Sequence, residues 1–147
     1  MADQVILLIE DNKSDEELTL RALNKHNIGN QVVVLRDGAA ALDYLFGRGT
    51  HAGRDTQALP QVVLLDLNLP KVGGLEVLRA IRGDERTKLL PVVILTSSQE
   101  DSDLARGYAS GANSYVVKPV DFTQFAEAVR RLGLYWLVLN QPPPTSS

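Results

Sequence analysis

Five short runs of apolar residues punctuate the chain, and each is too short to form a buried helix. They are rich in valine, isoleucine and leucine, a composition typical of strands that are covered on both faces of a parallel sheet. The pattern therefore predicts a sheet of five short strands. The runs are Val5 to Ile9, Val32 to Leu35, Val62 to Leu65, Val92 to Leu95 and Tyr115 to Val117.

The segments between the runs carry apolar residues at helical spacing. Because strands and helices alternate, we expect right-handed βαβ units around a parallel sheet. Five strands and five helices favour an α/β, flavodoxin-like doubly wound fold with strand order 2-1-3-4-5, although periodicity alone leaves other strand orders open. The predicted helix starts are Ser14 with Glu17 as a capping box, Asp37-Gly38, Gly73-Gly74, Ser98, and Asp121 with Gln124, and the predicted ends are Gly29, Gly83 and Gly111.

The composition is that of one globular domain of 147 residues. A net charge of −3 argues against nucleic-acid binding, which usually requires a basic surface. The absence of cysteine excludes disulfides and thiolate zinc sites. The first residues form neither a membrane span nor a signal peptide, so we expect a cytoplasmic location.

The polar connection from Gly47 to Pro60 lacks the context of a dinucleotide-binding motif and is predicted to be a mobile surface loop.

Polar side chains follow the predicted strands at one edge of the sheet, where ligands of open α/β sheets bind. Carboxylates ~4 Å apart repel by roughly 4 kcal/mol per pair at an effective dielectric of ~20, so such a cluster requires cations. Lys118 supplies one positive charge. The other ligands offer only oxygen atoms, which points to Mg²⁺. The residues at the strand ends are Glu10 and Asp11, Asp66, Thr96, and Lys118.

The same groups indicate phosphoryl chemistry, because a hydroxyl, a lysine and Mg²⁺ all bind phosphoryl oxygens. Asp66 lies in the centre of the set and is the natural nucleophile, which would form an acyl phosphate. A single acidic residue is more often a solvated loop carboxylate. Here three carboxylates, a hydroxyl and a lysine all lie at the ends of predicted strands, which favours a shared site.

Four motifs resemble, in order and spacing, those of the receiver domain of two-component response regulators. The long loop and the ending LGLYWLVLNQPPP are similar to single-domain regulators that are paired with bacterial phytochromes. The resemblance implies one receiver domain over residues 1–140, with its core at 3–132, followed by a proline-rich tail at 141–147. The motifs are IEDN (Ile9 to Asn12), LLDLNLPKVGGLEVL (Leu64 to Leu78), ILTSS (Ile94 to Ser98) and YVVKP (Tyr115 to Pro119).

The resemblance also implies a role for each residue of the site. Asp66 would accept a phosphoryl group from a phosphohistidine of a sensor histidine kinase, of the phytochrome type, with self-catalysed phosphotransfer and autodephosphorylation. Asn68 and Ser98 would tune the rate of dephosphorylation. The other implied roles are Mg²⁺ binding by Glu10, Asp11, Asp66 and the carbonyl of Asn68, phosphoryl binding by Thr96 and Lys118, a cis peptide before Pro119, and an aromatic switch at Tyr115 that moves inward with Thr96.

No DNA-binding motif follows residue 132, so we expect the protein to pass on its signal through protein contact or onward phosphotransfer. The face formed by the fourth helix, fifth strand and fifth helix is expected to change between the two states. One stripe of the last helix fits a core position, but its end is apolar all round. This pattern predicts a homodimer, unless the end folds back onto its own core. The residues assigned to the dimer contact are Phe122, Leu134, Tyr135, Trp136, Leu137 and Val138.

Three other functions compete with that of a phosphoacceptor. A phosphorylation-independent scaffold or dimerisation module would keep the fold without needing Asp66, Lys118 or the acidic pair, yet all are present. A flavodoxin that binds FMN would carry a phosphate loop rich in Ser, Thr and Gly after the first strand, where this chain has Glu10, Asp11 and Asn12. A haloacid-type phosphatase would need a second Asp at the position of Asn68.

Overall fold

A computed structural model describes residues 5–24, 31–67, 69, 71–96, 111–118 and 121–131. Strands and helices alternate along these residues, as the apolar runs predict. The fifth predicted helix is α4 below, because the fourth one, between Ser98 and Gly111, lies outside the described residues. The elements are β1 (Val5–Ile9), α1 (Lys13–Asn24), β2 (Gln31–Leu35), α2 (Gly38–Phe46), a short 3₁₀ helix (Gly49–His51), β3 (Val62–Asp66), α3 (Gly74–Gly83), β4 (Val92–Thr96), β5 (Ser114–Val117) and α4 (Phe122–Arg131).

The five strands form one parallel sheet in the order β2-β1-β3-β4-β5, which confirms the predicted topology. β1 pairs with β2 on one side and with β3 on the other. The chain therefore reverses its direction of winding between β1 and β3, and the carboxyl ends of these two strands flank the resulting crevice.

Alternate residues of the strands enter two cores, one on each face of the sheet. Ile6 and Leu8 of β1 pack with Leu23 of α1 and Phe125 of α4. Their neighbours in β1 pack on the other face, with the apolar residues of α2 and α3. All five residues of β3 are buried, because helices cover both sides of this central strand.

Side-chain caps begin three of the helices. Asp37 Oδ1 accepts a hydrogen bond from the Ala40 amide at 2.7 Å, and Asp121 Oδ1 accepts one from the Gln124 amide at 2.8 Å, as expected. The capping box at Ser14 is wrong, because Asn12 Oδ1 accepts from the Asp15 amide at 2.9 Å and α1 already begins at Lys13. α3 spans Gly74–Gly83 as predicted, whereas the predicted end of the first helix at Gly29 lies outside the described residues.

The long connection after α2 is held against that helix by Arg54. Its Nε donates to the Tyr44 carbonyl at 2.7 Å, and the guanidinium lies 4.1 Å from the centre of the Tyr44 ring. The segment that hydropathy marks only as a polar loop thus has a 3₁₀ helix and a fixed contact with α2. None of the described helices combines the length and the apolar composition that crossing a bilayer requires.

Gly74 allows α3 to start directly against the end of β3. A Cβ at this position would lie 2.4 Å from the Asp66 carbonyl oxygen and 2.6 Å from the Leu67 Cα. A Cβ at the neighbouring Gly73 would meet no atom within 4 Å. The close approach of helix and strand therefore requires glycine at position 74 only.

We expect Gly74→Ala to lower the free energy of unfolding by about 1–3 kcal/mol, because the added methyl group must displace backbone atoms of Asp66 and Leu67. Gly73→Ala is the matched control and should change it by no more than about 0.5 kcal/mol. Urea unfolding of both variants measures the difference. Equal stability of the two variants would contradict this account of the packing.

Candidate functional site

The carboxyl ends of three strands bring the acidic residues and the lysine together. Glu10 directly follows β1, and its amide donates to the Leu35 carbonyl at 2.9 Å, which continues the ladder with β2. Asp66 is the last residue of β3, and Lys118 directly follows β5. Their positions are therefore set by the backbone of the sheet and do not depend on flexible loops.

Lys118 joins three carboxylates. Its Nζ lies 2.7 Å from Glu10 Oε1, 2.9 Å from Asp66 Oδ2 and 2.9 Å from Asp15 Oδ2. It donates hydrogen bonds to Asp66 and Asp15, whereas its contact with Glu10 Oε1 is an ion pair without hydrogen-bond geometry. The side chains of Glu10, Asp66 and Lys118 are 0%, 3% and 10% exposed, so little water reaches their contacts.

Asp15 is a member of this group that the sequence analysis missed. It lies in the first turn of α1, where the cap by Asn12 fixes its backbone. Asp15 is on a helix, whereas the predicted site residues lie at or after the ends of strands. The signal that could have revealed it is an acidic residue four positions after Asp11, on a helix that begins at the same edge of the sheet.

Glu10, Asp11 and Asp66 form an acidic cluster that can hold a metal ion. One carboxylate oxygen from each lies within 4.8 Å of the others. Glu10 and Asp66 are buried, and Asp11 is exposed. A set of carboxylate oxygens in a half-open position suits a hard divalent cation.

The burial of these charges changes their ionisation. Burial, together with a hydrogen bond to Asp66, raises the pKa of Glu10 to about 8. For Lys118, burial lowers the pKa, but the contacts with the carboxylates of Glu10, Asp66 and Asp15 outweigh burial and raise the pKa above its usual value. Lys118 is therefore a permanent cation, whereas Glu10 tends to keep its proton when no metal ion is bound.

The other predicted site residues are only partly described. Thr96 is the last residue of β4 and pairs with Val117, so its backbone lies at the same sheet edge. Tyr115 in β5 is 37% exposed and thus faces outward. Asn68, Pro119 and the segment from Leu134 to Val138 lie outside the described residues, and Phe122 begins α4.

The sequence and fold are similar to those of known regulators. A sequence model of the response regulator receiver domain matches residues 6–130. The probable methanogenesis regulatory protein FilR2 of Methanothrix harundinacea is 45% identical over 139 residues, which cover 95% of this chain and 87% of FilR2. The response regulator Rcp1 of Synechocystis sp. is 36% identical over 134 residues, which cover 91% of this chain and 89% of Rcp1.

Solved structures extend the similarity to nearly the whole chain. The bacteriophytochrome response regulator RtBRR is 54% identical, with a TM-score of 0.84 over 97% of this chain and 85% of that one. The Mn(2+)-bound form of Rcp1 has a TM-score of 0.74 at 33% identity, over 97% of this chain and 99% of Rcp1.

We expect the metal-free protein to become less stable as the pH rises from about 4.5 to about 8. The pKa of Glu10 is higher in the folded than in the unfolded chain, so the folded state binds more protons in this interval, and the free energy of unfolding falls as they are lost. Urea unfolding in the presence of a chelator, at several pH values, measures the slope.

Glu10→Gln should flatten that slope, because the amide cannot titrate. Glu76→Gln, which alters an exposed glutamate of α3, should keep the native slope. A native slope in Glu10→Gln would show that another group is responsible.

Proposed function

The chain belongs to the response regulator receiver family, and we propose that it accepts a phosphoryl group on Asp66 from a sensor histidine kinase. The observation that carries the proposal is the contact of Lys118 Nζ with Asp66 Oδ2 at 2.9 Å, at the open end of the sheet. A carboxylate oxygen can attack phosphorus to form an acyl phosphate, and the adjacent cation offsets the negative charge of the approaching phosphoryl group.

In the transfer step, an Asp66 carboxylate oxygen attacks the phosphorus atom of a phosphohistidine. An O–P bond forms, the P–N bond breaks, and its electron pair stays on the imidazole nitrogen. Lys118 can donate an N–H to the phosphoryl oxygens, and we assign the same role to the hydroxyl of Thr96. Hydrolysis of the acyl phosphate by water would then restore the Asp66 carboxylate.

We further propose that Mg²⁺ is the metal ion of the site. Glu10, Asp11 and Asp66 would hold it, with the carbonyl of Asn68 as a fourth ligand. The all-oxygen cluster supports this assignment, as does the relative Rcp1, which has a structure with Mn(2+) bound. When bound, a divalent ion neutralises negative charge on the phosphoryl oxygens.

The likeness to RtBRR favours a kinase of the phytochrome type as the donor and, with it, a cytoplasmic location. We assign the response to a switch in which Tyr115 moves inward together with Thr96, next to a cis peptide at Pro119. The outward position of Tyr115 would be the resting state.

A scaffold that does not need phosphorylation is disfavoured, because it would not require a lysine that contacts three carboxylates.

We also propose that residues 1–140 form one receiver domain, which dimerises through the end of its last helix. Phe125, Ala126 and Ala128 of α4 are buried in the core, and the sequence beyond position 132 is rich in apolar residues, which supports a contact there. Phe122 and the segment Leu134 to Val138 are assigned to the contact with a second copy of the chain, and the tail at 141–147 could extend onto it.

Labelling with isotopic acetyl phosphate and Mg²⁺ tests the phosphoacceptor. The native chain should become labelled, and Asp66→Asn should lose more than about nine tenths of the label, because an amide cannot form the acyl phosphate. Asp55→Asn, in the surface loop, is the control for a general loss of acidic charge. If Asp66→Asn carries as much label as the native chain, Asp66 is rejected as the phosphoacceptor.

Sedimentation at micromolar concentration tests the dimer. The full chain should sediment as a dimer, and Leu137→Glu should shift it to a monomer by placing a charge in the apolar contact. Leu89→Glu alters a leucine that is 87% exposed and should leave the dimer intact. A monomeric native chain would reject this part of the proposal.

A further inference from the structure

Asp15 differs from the other two carboxylates that surround Lys118. Glu10 and Asp66 belong to the acidic cluster that can hold a metal ion, and Asp66 is the proposed phosphoacceptor. Asp15 is absent from that cluster, and its Oδ2 lies 2.9 Å from Lys118 Nζ. Its carboxylate therefore acts on the site through the lysine.

A closed ring of contacts fixes Asp15 in this position. Asn12 N donates to Glu10 Oε2 at 3.3 Å, and Asp15 N donates to Asn12 Oδ1 at 2.9 Å. Lys118 Nζ then closes the ring, with 2.9 Å to Asp15 Oδ2 and 2.7 Å to Glu10 Oε1. The cap of α1 thus places the Asp15 carboxylate on the ammonium group before any phosphoryl group arrives.

Its contact with the Lys118 nitrogen makes Asp15 a competitor of the phosphoryl group. The ammonium of Lys118 donates to Asp15 and Asp66 and lies 2.7 Å from Glu10 Oε1, so three carboxylate oxygens already surround it and a phosphoryl oxygen competes with them for contact. A phosphoryl group on Asp66 also brings a charge of about −1.5 to −2. Asp15 and Asp66 contact the same nitrogen, so their oxygens are near neighbours and this added charge repels Asp15.

We propose that Asp15 is a positioning residue that limits the phosphorylation of Asp66 by retaining Lys118. The inference rests on the proposed function of Asp66 as the phosphoacceptor. Without the Asp15 charge, Lys118 can donate an N–H to the phosphoryl oxygens and does not first have to break its ion pair with Asp15. Removal of this carboxylate should therefore make phosphorylation faster and the phosphorylated state longer-lived.

The test measures the initial rate of labelling by acetyl phosphate with Mg²⁺ in Asp15→Asn, and the half-life of the label after the donor is removed. In this reaction Asp66 forms the O–P bond, and the P–O bond to acetate breaks. We expect both quantities to rise by about two- to fivefold, the range that corresponds to the loss of one partly exposed ion pair. Damage to the fold would lower the labelling rate, so a higher rate distinguishes the loss of the Asp15 charge from damage to the fold.

Glu17→Gln is the matched control, because it removes the same charge from an exposed residue in the same helix. Its rate should equal that of the native chain, and an increase as large as that of Asp15→Asn would overturn the proposal. Asp15→Ser provides a second variant and should change the rate in the same direction as Asp15→Asn. A rate in Asp15→Asn that is equal to or below the native rate would also overturn it.

Asp66→Asn in the same assay separates this inference from the proposed function. If its label is lost while Asp15→Asn behaves as the native chain does, only the role of Asp15 is rejected. If its label is retained, the phosphoacceptor itself is rejected, and the role of Asp15 with it.

Discussion

The contact of one ammonium group with three carboxylates is the constraint that governs this sheet edge. Removal of a charge from water costs several kcal/mol unless a close partner compensates for it. The side chains of Glu10 and Asp66 are almost fully buried, and Lys118 is the cation that the described residues bring to both. One positive charge cannot balance three negative ones. The edge therefore either retains a proton on Glu10 or attracts a further cation, and this imbalance explains why it is suited to a divalent metal ion.

The position of Lys118 depends in turn on the register of β5, which pairs with β4 at the edge of the sheet. Arg82, at the end of α3, stabilises that register from the opposite side of the domain. Its guanidinium donates to the Gly111 carbonyl at 2.8 Å, to the Leu90 carbonyl at 2.7 Å and to Asn113 Oδ1 at 2.8 Å. Asn113 Oδ1 also accepts from the Val92 amide at 2.8 Å. The starts of β4 and β5 are thus tied together, so that Lys118 emerges beside Asp66.

Hydropathy predicted the strands because a parallel sheet covered on both faces consists of apolar runs, whereas it left more than one strand order open. It missed the polar residues at the ends of the strands, such as Gln31 and Ser114, which belong to the ladder through backbone pairing alone. The cap of α1 was misplaced because two residues of similar capping ability, Asn12 and Ser14, lie close together. In the structure the side chain and the carbonyl of Asn12 accept from the amides of Asp15 and Glu16, a choice that hydropathy does not distinguish.

Asp15 shows where a prediction from strand ends reaches its limit. It is separated from Lys118 by 103 positions, and its place on a helix reveals nothing until the orientation of α1 is known. The residues on strand ends are fixed by the sheet, so a change in any of them removes a ligand or the nucleophile. A residue on the first turn of α1 can change without altering the sheet. The same fold can therefore keep its chemistry at the strand ends while the charge on α1 sets how firmly Lys118 is retained.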